Sequence, residues 1–133
     1  MYKIRVLKDE DYSTLKKWWT WFRFPSPPKE YLPEEGKGGI MLIKNNVEVC
    51  AGFIFFTNSK MAWVEFIVSN PNYREDDRSE LIKSLIIEIA EIIKNKGYKV
   101  IFTSVKNESL INHFESVGFL KSANNTTEMI LNL

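Results

Sequence analysis

Hydrophobic and polar positions alternate along residues 2–7, which predicts a β-strand. Residues 8–22 carry hydrophobic side chains at helical spacing instead, and predict a helix with one apolar face. That face holds Leu15, Trp18, Trp19 and Phe22. Residues 23–39 contain four of the five prolines and three of the six glycines. Because proline removes a backbone donor and breaks regular structure, we predict a long irregular loop here.

The middle of the chain predicts three successive strands, at residues 40–44, 47–56 and 61–69. Asn45-Asn46 lies between the first two strands and tolerates the positive φ of a tight hairpin. The clearest helix follows at residues 79–97, with Gly97 as its stop. Its predicted apolar stripe consists of Leu81, Leu85, Ile89 and Ile92, widened by Ile82, Ile86, Ala90 and Ile93.

The last third of the chain predicts strand, helix and strand. Residues 98–105 form a continuous apolar run, typical of a strand covered on both faces. Residues 107–119 predict a short helix closed at Gly118, and residues 126–133 a last strand, with room for one more short strand at 119–122. The predicted fold class is therefore α/β, a mixed sheet flanked by helices in a single domain spanning residues 1–133.

Composition narrows the functional classes. A hydrophobic fraction of 44% with 26% charged residues is that of a globular protein. The net charge of +1 draws the chain to neither nucleic acid nor an anionic membrane. One cysteine, Cys50, suits a reducing compartment, and the start of the chain lacks the apolar core of a signal peptide. We therefore expect a cytoplasmic protein with neither nucleic acid nor a membrane as partner.

The stretch "VSNPNYREDDRSELIKSLI", residues 68–87, predicts a strand, a loop and the start of a helix, an arrangement that often binds phosphate. Two interpretations remain open. Asp77 and Glu80 fit a capping box, in which side chains occupy the free N–H groups of the helix. Arg74 and Arg78 favour the alternative, because guanidinium groups pair well with phosphate.

Three stretches together resemble the GNAT superfamily of acyl-CoA-dependent N-acyltransferases, as does the order of elements along nearly the whole chain. "VCAGFIFF" resembles the third strand of that family. In the phosphate-loop motif, Val68, Pro71, Tyr73 and Arg74 match, whereas Asp77 and Ser79 replace the two glycines. "NESLINHFESVGF" matches the family's last motif at Asn107, Leu110, Phe114, Gly118 and Phe119.

The resemblance implies acetyl transfer from acetyl-CoA to an amine, on a small molecule or a peptide, without a metal. It implies that Glu65 is the general base. It also implies the cofactor-binding residues: the backbone of Ile67 and Val68, then Arg74, Arg78, Ser79, Asn107 and Phe114. Phe114 replaces the tyrosine that commonly protonates the leaving thiolate, so that acid is absent here. The chain resembles above all small phage-encoded GNAT-like proteins. For a phage-encoded protein, the expected cytoplasmic location is the cytoplasm of the host cell.

Several residues keep a second interpretation. Glu65 shares a strand face with Trp63 and Ile67, so it is either a functional buried carboxylate or a paired one. Trp21 lies off the apolar stripe of the first helix, and with Phe24 and Tyr31 is expected to wall the acceptor pocket; outward aromatics could equally make a homodimer contact.

His113 and Cys50 are expected to be packing residues, and no metal-ligand spacing occurs. "AGFIFF" faintly resembles an RNA-recognition strand but lacks its leading basic residue. The alternative to an enzyme is a GNAT-like domain that has lost catalysis and binds a protein partner.

Overall fold

The computed structural model describes residues 1–133, and it contains five strands and three α-helices. The strands are β1 (Tyr2–Val6), β2 (Gly39–Lys44), β3 (Val47–Phe55), β4 (Met61–Ser69) and β5 (Val100–Phe102). The helices are α1 (Asp11–Trp21), α2 (Arg78–Asn95) and α3 (Glu108–Ser116). Short 3₁₀ turns at Lys29–Tyr31 and Pro33–Gly36 interrupt the predicted long loop.

One mixed sheet forms the centre of the fold, with the strand order β1-β2-β3-β4-β5. Strands β1 to β4 are antiparallel neighbours, and β5 pairs with β4 in parallel. Asn45 and Asn46 have φ values of 51° and 63°, so the predicted tight hairpin between β2 and β3 is confirmed. Gly97 and Gly118 follow α2 and α3 with φ values of 91° and 110°, which confirms both predicted helix stops.

Helices cover both faces of the sheet, which confirms the predicted fold class. On one face, α2 and α3 pack over a cluster that includes Leu85, Ile89 and Phe114. On the other face, α1 buries Leu15, Trp18 and Trp19, as predicted. Phe22 is 43% exposed, so the prediction that it shares the buried face is wrong. The helix ends at Trp21, and Phe22 is its C-cap, outside the helical residues that carry the buried face.

An ion-pair network fixes α1 to the sheet edge. The Asp11 carboxylate is buried and accepts hydrogen bonds from Arg5 Nη1 at 2.7 Å, Arg5 Nη2 at 3.0 Å and the Lys8 backbone N–H at 2.7 Å. Arg5 Nη2 also donates to Glu48 on β3 at 2.8 Å. The first turn of α1 is thereby held against β1 and β3.

The C-terminal third departs from the prediction. Strand β5 contains only Val100–Phe102, and Val100 and Phe102 are 53% and 40% exposed. The prediction of a longer strand covered on both faces is wrong, because the cluster beneath α1 does not extend to β5. Residues 119–133 form no strand, and Met129, Ile130 and Leu131 are more than 80% exposed. The predicted last strand is therefore absent, since the short β5 is the edge of the sheet and pairs only with β4. None of the helices is both long and apolar enough to span a membrane.

Candidate functional site

Backbone pairing between β4 and the chain that follows β5 covers only part of β4, and we call the unpaired part of that edge, from Glu65 to Ser69, the cleft. The parallel ladder joins Met61 to Val100 and ends at the pair of Trp63 and Phe102. One further link follows, in which Thr103 Oγ1 donates to the Val64 carbonyl oxygen at 2.7 Å. From Glu65 to Ser69, β4 pairs only with β3. An open backbone edge of this kind can take up a ligand that carries amide groups.

A β-bulge in β4 lies at the start of this cleft, directly after Glu65. Phe66 has a φ of 59°, and the register with β3 shifts between the pairs Phe53–Glu65 and Ala51–Val68. Gly52 stands opposite the extra residue, and a Cβ there would lie 3.0 Å from Ile89 Cδ1 and 3.1 Å from Ile67 Cγ1. The bulge therefore leaves little room for any residue larger than glycine at position 52.

The bulge also changes which side chains share a face. Phe66 and Val68 pack on the α1 side, whereas Ile67 packs on the α2 side. Trp63 and Glu65 do share a face, because Trp63 Nε1 donates to Glu65 Oε2 at 2.7 Å. The prediction that Ile67 lies beside Glu65 is wrong, since the extra residue reverses the alternation after Glu65.

Glu65 is a half-buried carboxylate beside the cleft. Burial raises its pKa, the hydrogen bond from Trp63 opposes that effect, and the nearby Glu128 carboxylate adds to it, with a net upward shift. Trp63 in turn packs against Phe102, with the rings tilted by 32° and 4.4 Å between their centroids, at the point where the ladder ends. A carboxylate with a raised pKa is a stronger base than an exposed one, which suits removal of a proton from an acceptor.

The loop from Ser69 to Asp77 is held in place by its own polar groups. Asn70 donates from its backbone N–H to the Val49 oxygen at 2.7 Å and from Nδ2 to the Glu48 oxygen at 2.8 Å. Its Oδ1 accepts the Asn72 N–H at 2.9 Å, and Tyr73 is buried in the core. The start of α2 is thus fixed relative to the end of β4.

Asp77 stands at the N-cap of α2 but does not cap the helix. Its carboxylate forms an ion pair with Lys44 and accepts the Tyr73 hydroxyl at 2.6 Å, with no hydrogen bond to the helix backbone. The Lys44 hydrogen bond and then the Tyr73 hydrogen bond lower the pKa of Asp77, and the same contact with Asp77 raises the pKa of Tyr73 to about 12. Glu80 pairs with Lys83 at 3.3 Å. The predicted capping box is therefore wrong, because Lys44 and Tyr73 occupy the carboxylate.

The N-terminus of α2 consequently keeps free donors. The backbone N–H groups of Ser79 and Glu80 donate to no protein acceptor. Arg78 Nη2 donates to Ser69 Oγ at 2.5 Å, while its Nε is buried without a partner. Unpaired N–H groups at a helix N-terminus and a guanidinium beside them form a favourable environment for an anion.

The aromatic residues at the end of α1 reach this region. The Arg74 guanidinium lies 5.7 Å from the Trp21 ring centroid, and that of Arg78 lies 6.0 Å from the Phe22 ring. Trp21 and Phe22 contact each other edge to face at 5.0 Å. Phe24 packs against Phe66 at the bulge, at 6.4 Å, whereas Tyr31 is 65% exposed and forms no ring pair. The structure therefore does not bring Trp21, Phe24 and Tyr31 together as one wall.

The residues predicted on α3 have structural contacts of their own. Asn107 is the N-cap of α3, and its Oδ1 accepts the Leu110 N–H at 2.9 Å. Phe114 is 4% exposed and packs against Phe119 at 4.8 Å, in the core beneath α2. Burial raises the pKa of the Cys50 thiol to about 12, which leaves it a protonated core thiol, and no group of three potential metal ligands is present.

Sequence reasoning missed Lys44, Ser69, Phe22 and the bulge at Phe66. The bulge had no distinguishing signal, since the nonpolar run 66–68 has a counterpart at 61–64 in the same strand, where the pairing is regular. Lys44 and Ser69 had none, because Lys44 lies 33 residues from Asp77 in the sequence and Ser69 lies in a different element from Arg78.

Comparison with known proteins defines the class of fold. No family model matches the sequence, and no curated protein matches it either. Solved structures do match. The ribosomal-protein-S18-alanine N-acetyltransferase from Escherichia coli superposes with a TM-score of 0.75 at 19% identity, covering 92% of this chain and 80% of that one.

Two further structures have the same architecture. An aminoglycoside acetyltransferase from an uncultured soil metagenomic sample, in complex with sisomicin, gives a TM-score of 0.69 at 14% identity, covering 99% of this chain and 96% of that one. N-acetylglutamate synthase from Neisseria gonorrhoeae, complexed with coenzyme A and N-acetyl-glutamate, gives 0.75 at 13% identity, covering 92% of this chain and 29% of that one. The fold is that of the GNAT acetyltransferases.

Proposed function

We propose that this protein is an N-acetyltransferase that moves the acetyl group of acetyl-CoA to an amine. One observation carries the proposal: the open edge of β4, the half-buried Glu65 and the uncapped N-terminus of α2 adjoin one another along a single strand and loop. A thioester carrier with amide groups in its arm and a diphosphate at its end requires this succession of an open edge and an anion site. The GNAT-type neighbours, one of them with coenzyme A bound, support the same assignment.

The residues present fit acetyl-CoA. The backbone of Ile67 and Val68 lies on the open part of β4 and would pair with the amides of the pantetheine arm. Arg74, Arg78 and the free N–H of Ser79 would hold the diphosphate. Asn107 would steady the arm through Nδ2, since its Oδ1 is engaged at Leu110, and Phe114 would offer only an apolar surface.

Glu65 would act as the general base. When bound, acetyl-CoA supplies an activated acetyl carbon. Glu65 would take the proton that the acceptor amine loses as it attacks that carbon, directly or through a water molecule. Phe114 has no hydroxyl, so the departing thiolate would take its proton from water, and the proton held by Glu65 would pass to solvent, which leaves the amide and the free thiol. Phe24 lies beside the bulge, and with Trp21 and Tyr31 remains our proposal for residues that meet the acceptor.

The acceptor is an amine on a small molecule or on a protein. Both classes occur among the structural neighbours, whose names specify the alanine of a ribosomal protein in one case and an aminoglycoside in another.

Isothermal titration tests this proposal. The protein is titrated with acetyl-CoA, with desulfo-CoA and with ADP, beside an Arg78→Leu variant that removes the guanidinium next to the free N–H groups. We expect micromolar binding of acetyl-CoA, weaker binding of ADP, and a weaker affinity in the variant. A screen of amines with detection of the released thiol then identifies the acceptor. A folded protein that binds no acetyl-CoA at millimolar concentration would contradict the proposal.

A GNAT-like protein-binding module without catalysis is the second candidate. Phe114 in place of a tyrosine and Asp77 in place of a glycine favour it. Trp21, Phe22 and Phe24, all more than 40% exposed, would form its contact surface. Absence of acetyl-CoA binding, together with loss of a partner's binding in a Phe24→Ser variant, would favour this second function.

A further inference from the structure

Two aromatic side chains at the end of α1 have no role in the core. Trp21 and Phe22 are 56% and 43% exposed, whereas Trp18 and Trp19 on the same helix are buried. Their rings lie against the guanidinium groups of Arg74 and Arg78, at 5.7 Å and 6.0 Å. Trp21 and Phe22 thus connect the end of α1 with Arg74 of the Ser69–Asp77 loop and with Arg78, the first residue of α2.

We propose that Trp21 and Phe22 are positioning residues that hold Arg74 and Arg78 ready for the diphosphate of acetyl-CoA, an inference that rests on the function proposed above. Such a device is needed because Asp77 and Ser79 carry Cβ atoms, which keep the backbone of this loop farther from a ligand than glycine would. Side chains that reach out must then supply the donors that the backbone supplies less well. Arginine is flexible, so an unheld guanidinium loses rotamer freedom each time it binds.

The contacts with the aromatic rings do not occupy the N–H donors at the edge of each guanidinium. An aromatic ring attracts the flat face of the guanidinium, while its N–H donors point outward in the plane. Each arginine is also tied at one point: Arg74 Nε donates to the Pro71 oxygen at 3.1 Å, and Arg78 Nη2 donates to Ser69 Oγ at 2.5 Å. One hydrogen bond and one ring together fix the plane of each group. The donors of each guanidinium that these two contacts leave unused are available to phosphate oxygens, apart from Arg78 Nε, which is buried.

The chain offers a matched control. Phe56 is 43% exposed, like Phe22, and its ring lies 5.1 Å from the Lys96 ammonium, at the opposite end of β4 from the Ser69–Asp77 loop. A Phe56→Leu variant removes the same ring, at the same exposure, from the same kind of contact. If losing any surface ring weakens acetyl-CoA binding, Phe22→Leu and Phe56→Leu will both bind it more weakly. If the ring positions an arginine, only Phe22→Leu will do so.

The experiment compares Trp21→Leu, Phe22→Leu, the double variant and Phe56→Leu. Each single variant at α1 is expected to bind acetyl-CoA about two- to fivefold more weakly, and the double variant about tenfold, as cation–π contacts of this exposure contribute. Binding of S-acetylpantetheine, which lacks the diphosphate, is expected to stay unchanged. Trp21→Phe and Phe22→Tyr keep a ring and are expected to retain the affinity of the parent protein.

A measurement without ligand separates the two proposals. The Nε–H NMR signal of Arg78, identified by its loss in Arg78→Leu, is expected to shift in Phe22→Leu, because the ring current disappears, and to stay in place in Phe56→Leu. If the parent protein binds acetyl-CoA but the α1 variants bind it equally well, the inference is overturned and the proposed function stands. If the parent protein binds no acetyl-CoA although the Arg78 Nε–H signal shows that Phe22 contacts Arg78, the proposed function fails and the inference fails with it.

Discussion

Replacement of Asp11 by asparagine is expected to destabilise the protein strongly, because this carboxylate anchors α1 to the sheet. The Asp11 side chain is 5% exposed and accepts from both Nη atoms of Arg5 and from the Lys8 backbone N–H. An asparagine of the same shape removes the charge and turns one acceptor atom into a donor that faces Arg5. A buried donor would then lie against another donor.

The structure sets the size of the effect. Breaking a buried ion pair by removing one partner costs about 3–5 kcal/mol. Arg5 is 26% exposed and keeps Glu48 at 2.8 Å, so its charge stays partly compensated. Asparagine also retains one oxygen for the Lys8 N–H. Both effects reduce the cost, and we expect a loss of about 2–3 kcal/mol in the free energy of unfolding.

Urea unfolding followed by circular dichroism measures this loss. The matched control is Asp9→Asn, since Asp9 pairs with Lys29 on the surface and its loss is expected to leave the midpoint unchanged. Burial would raise the pKa of Asp11, but the hydrogen bonds from Arg5 and Lys8 outweigh it and lower the pKa in the folded state. The contribution of Asp11 is therefore present above the unfolded carboxyl pKa of about 4 and is lost as the pH falls below it. Equal midpoints for the two variants at pH 7 would refute this reasoning.

Three further predictions concern the cleft, the loop and the C-terminus. Glu65→Gln is expected to lower kcat about 100- to 10,000-fold and to leave the affinity for acetyl-CoA unchanged. In the parent, kcat/KM is expected to rise with pH as Glu65, whose pKa is raised, loses its proton, and the variant is expected to lack this rise. A variant with normal kcat would exclude Glu65 as the base. Asp77→Asn is expected to bind acetyl-CoA more tightly than the parent in isothermal titration, because it releases Lys44 from its ion pair. Asp76→Asn also removes one charge but breaks no contact, and is expected to bind as the parent does. Removal of residues 126–133 is expected to change the free energy of unfolding by less than about 0.5 kcal/mol, because Met129, Ile130 and Leu131 are exposed; a larger loss in urea would show that the segment packs.

Most of the fold could be predicted from the sequence because its signals are local. Strands β1 to β4 and all three helices lie where periodicity, Asn45-Asn46, Gly97 and Gly118 indicate. Local signals also placed Trp21 outside the apolar stripe of α1. Strand β5 could not be described correctly, since an apolar run does not reveal whether a second layer covers it, and here none lies over Phe102 on the α1 side.

The candidate site was harder to predict because its partners are distant in sequence. The Asp77 pattern indicates a capping box equally well whether or not a lysine from another strand takes the carboxylate, and Lys44 does so here. Burial of Glu65 followed from the alternation of β4, but the face of Ile67 did not, because the bulge opposite Gly52 depends on the neighbouring strand. Asn107 and Phe114 were identified by motif, and their contacts with Leu110 and Phe119 became visible only in three dimensions.

The short ladder between β4 and β5 also divides the protein into parts of unequal resistance to opening. Before β5, the Lys99 and Val100 N–H groups donate to the Lys60 oxygen at 2.8 and 3.3 Å, whereas after β5 the link to the sheet is a single side chain, Thr103 Oγ1, which donates to the Val64 oxygen at 2.7 Å. Amide hydrogens of β5 and α3 should therefore exchange with solvent through a local opening that leaves β2, β3 and β4 protected. A molecule bound in the cleft would contact both parts, β4 on one side and the chain that follows β5 on the other. Its binding would slow exchange in β5 and α3 most, so that the two parts open together as one cooperative unit.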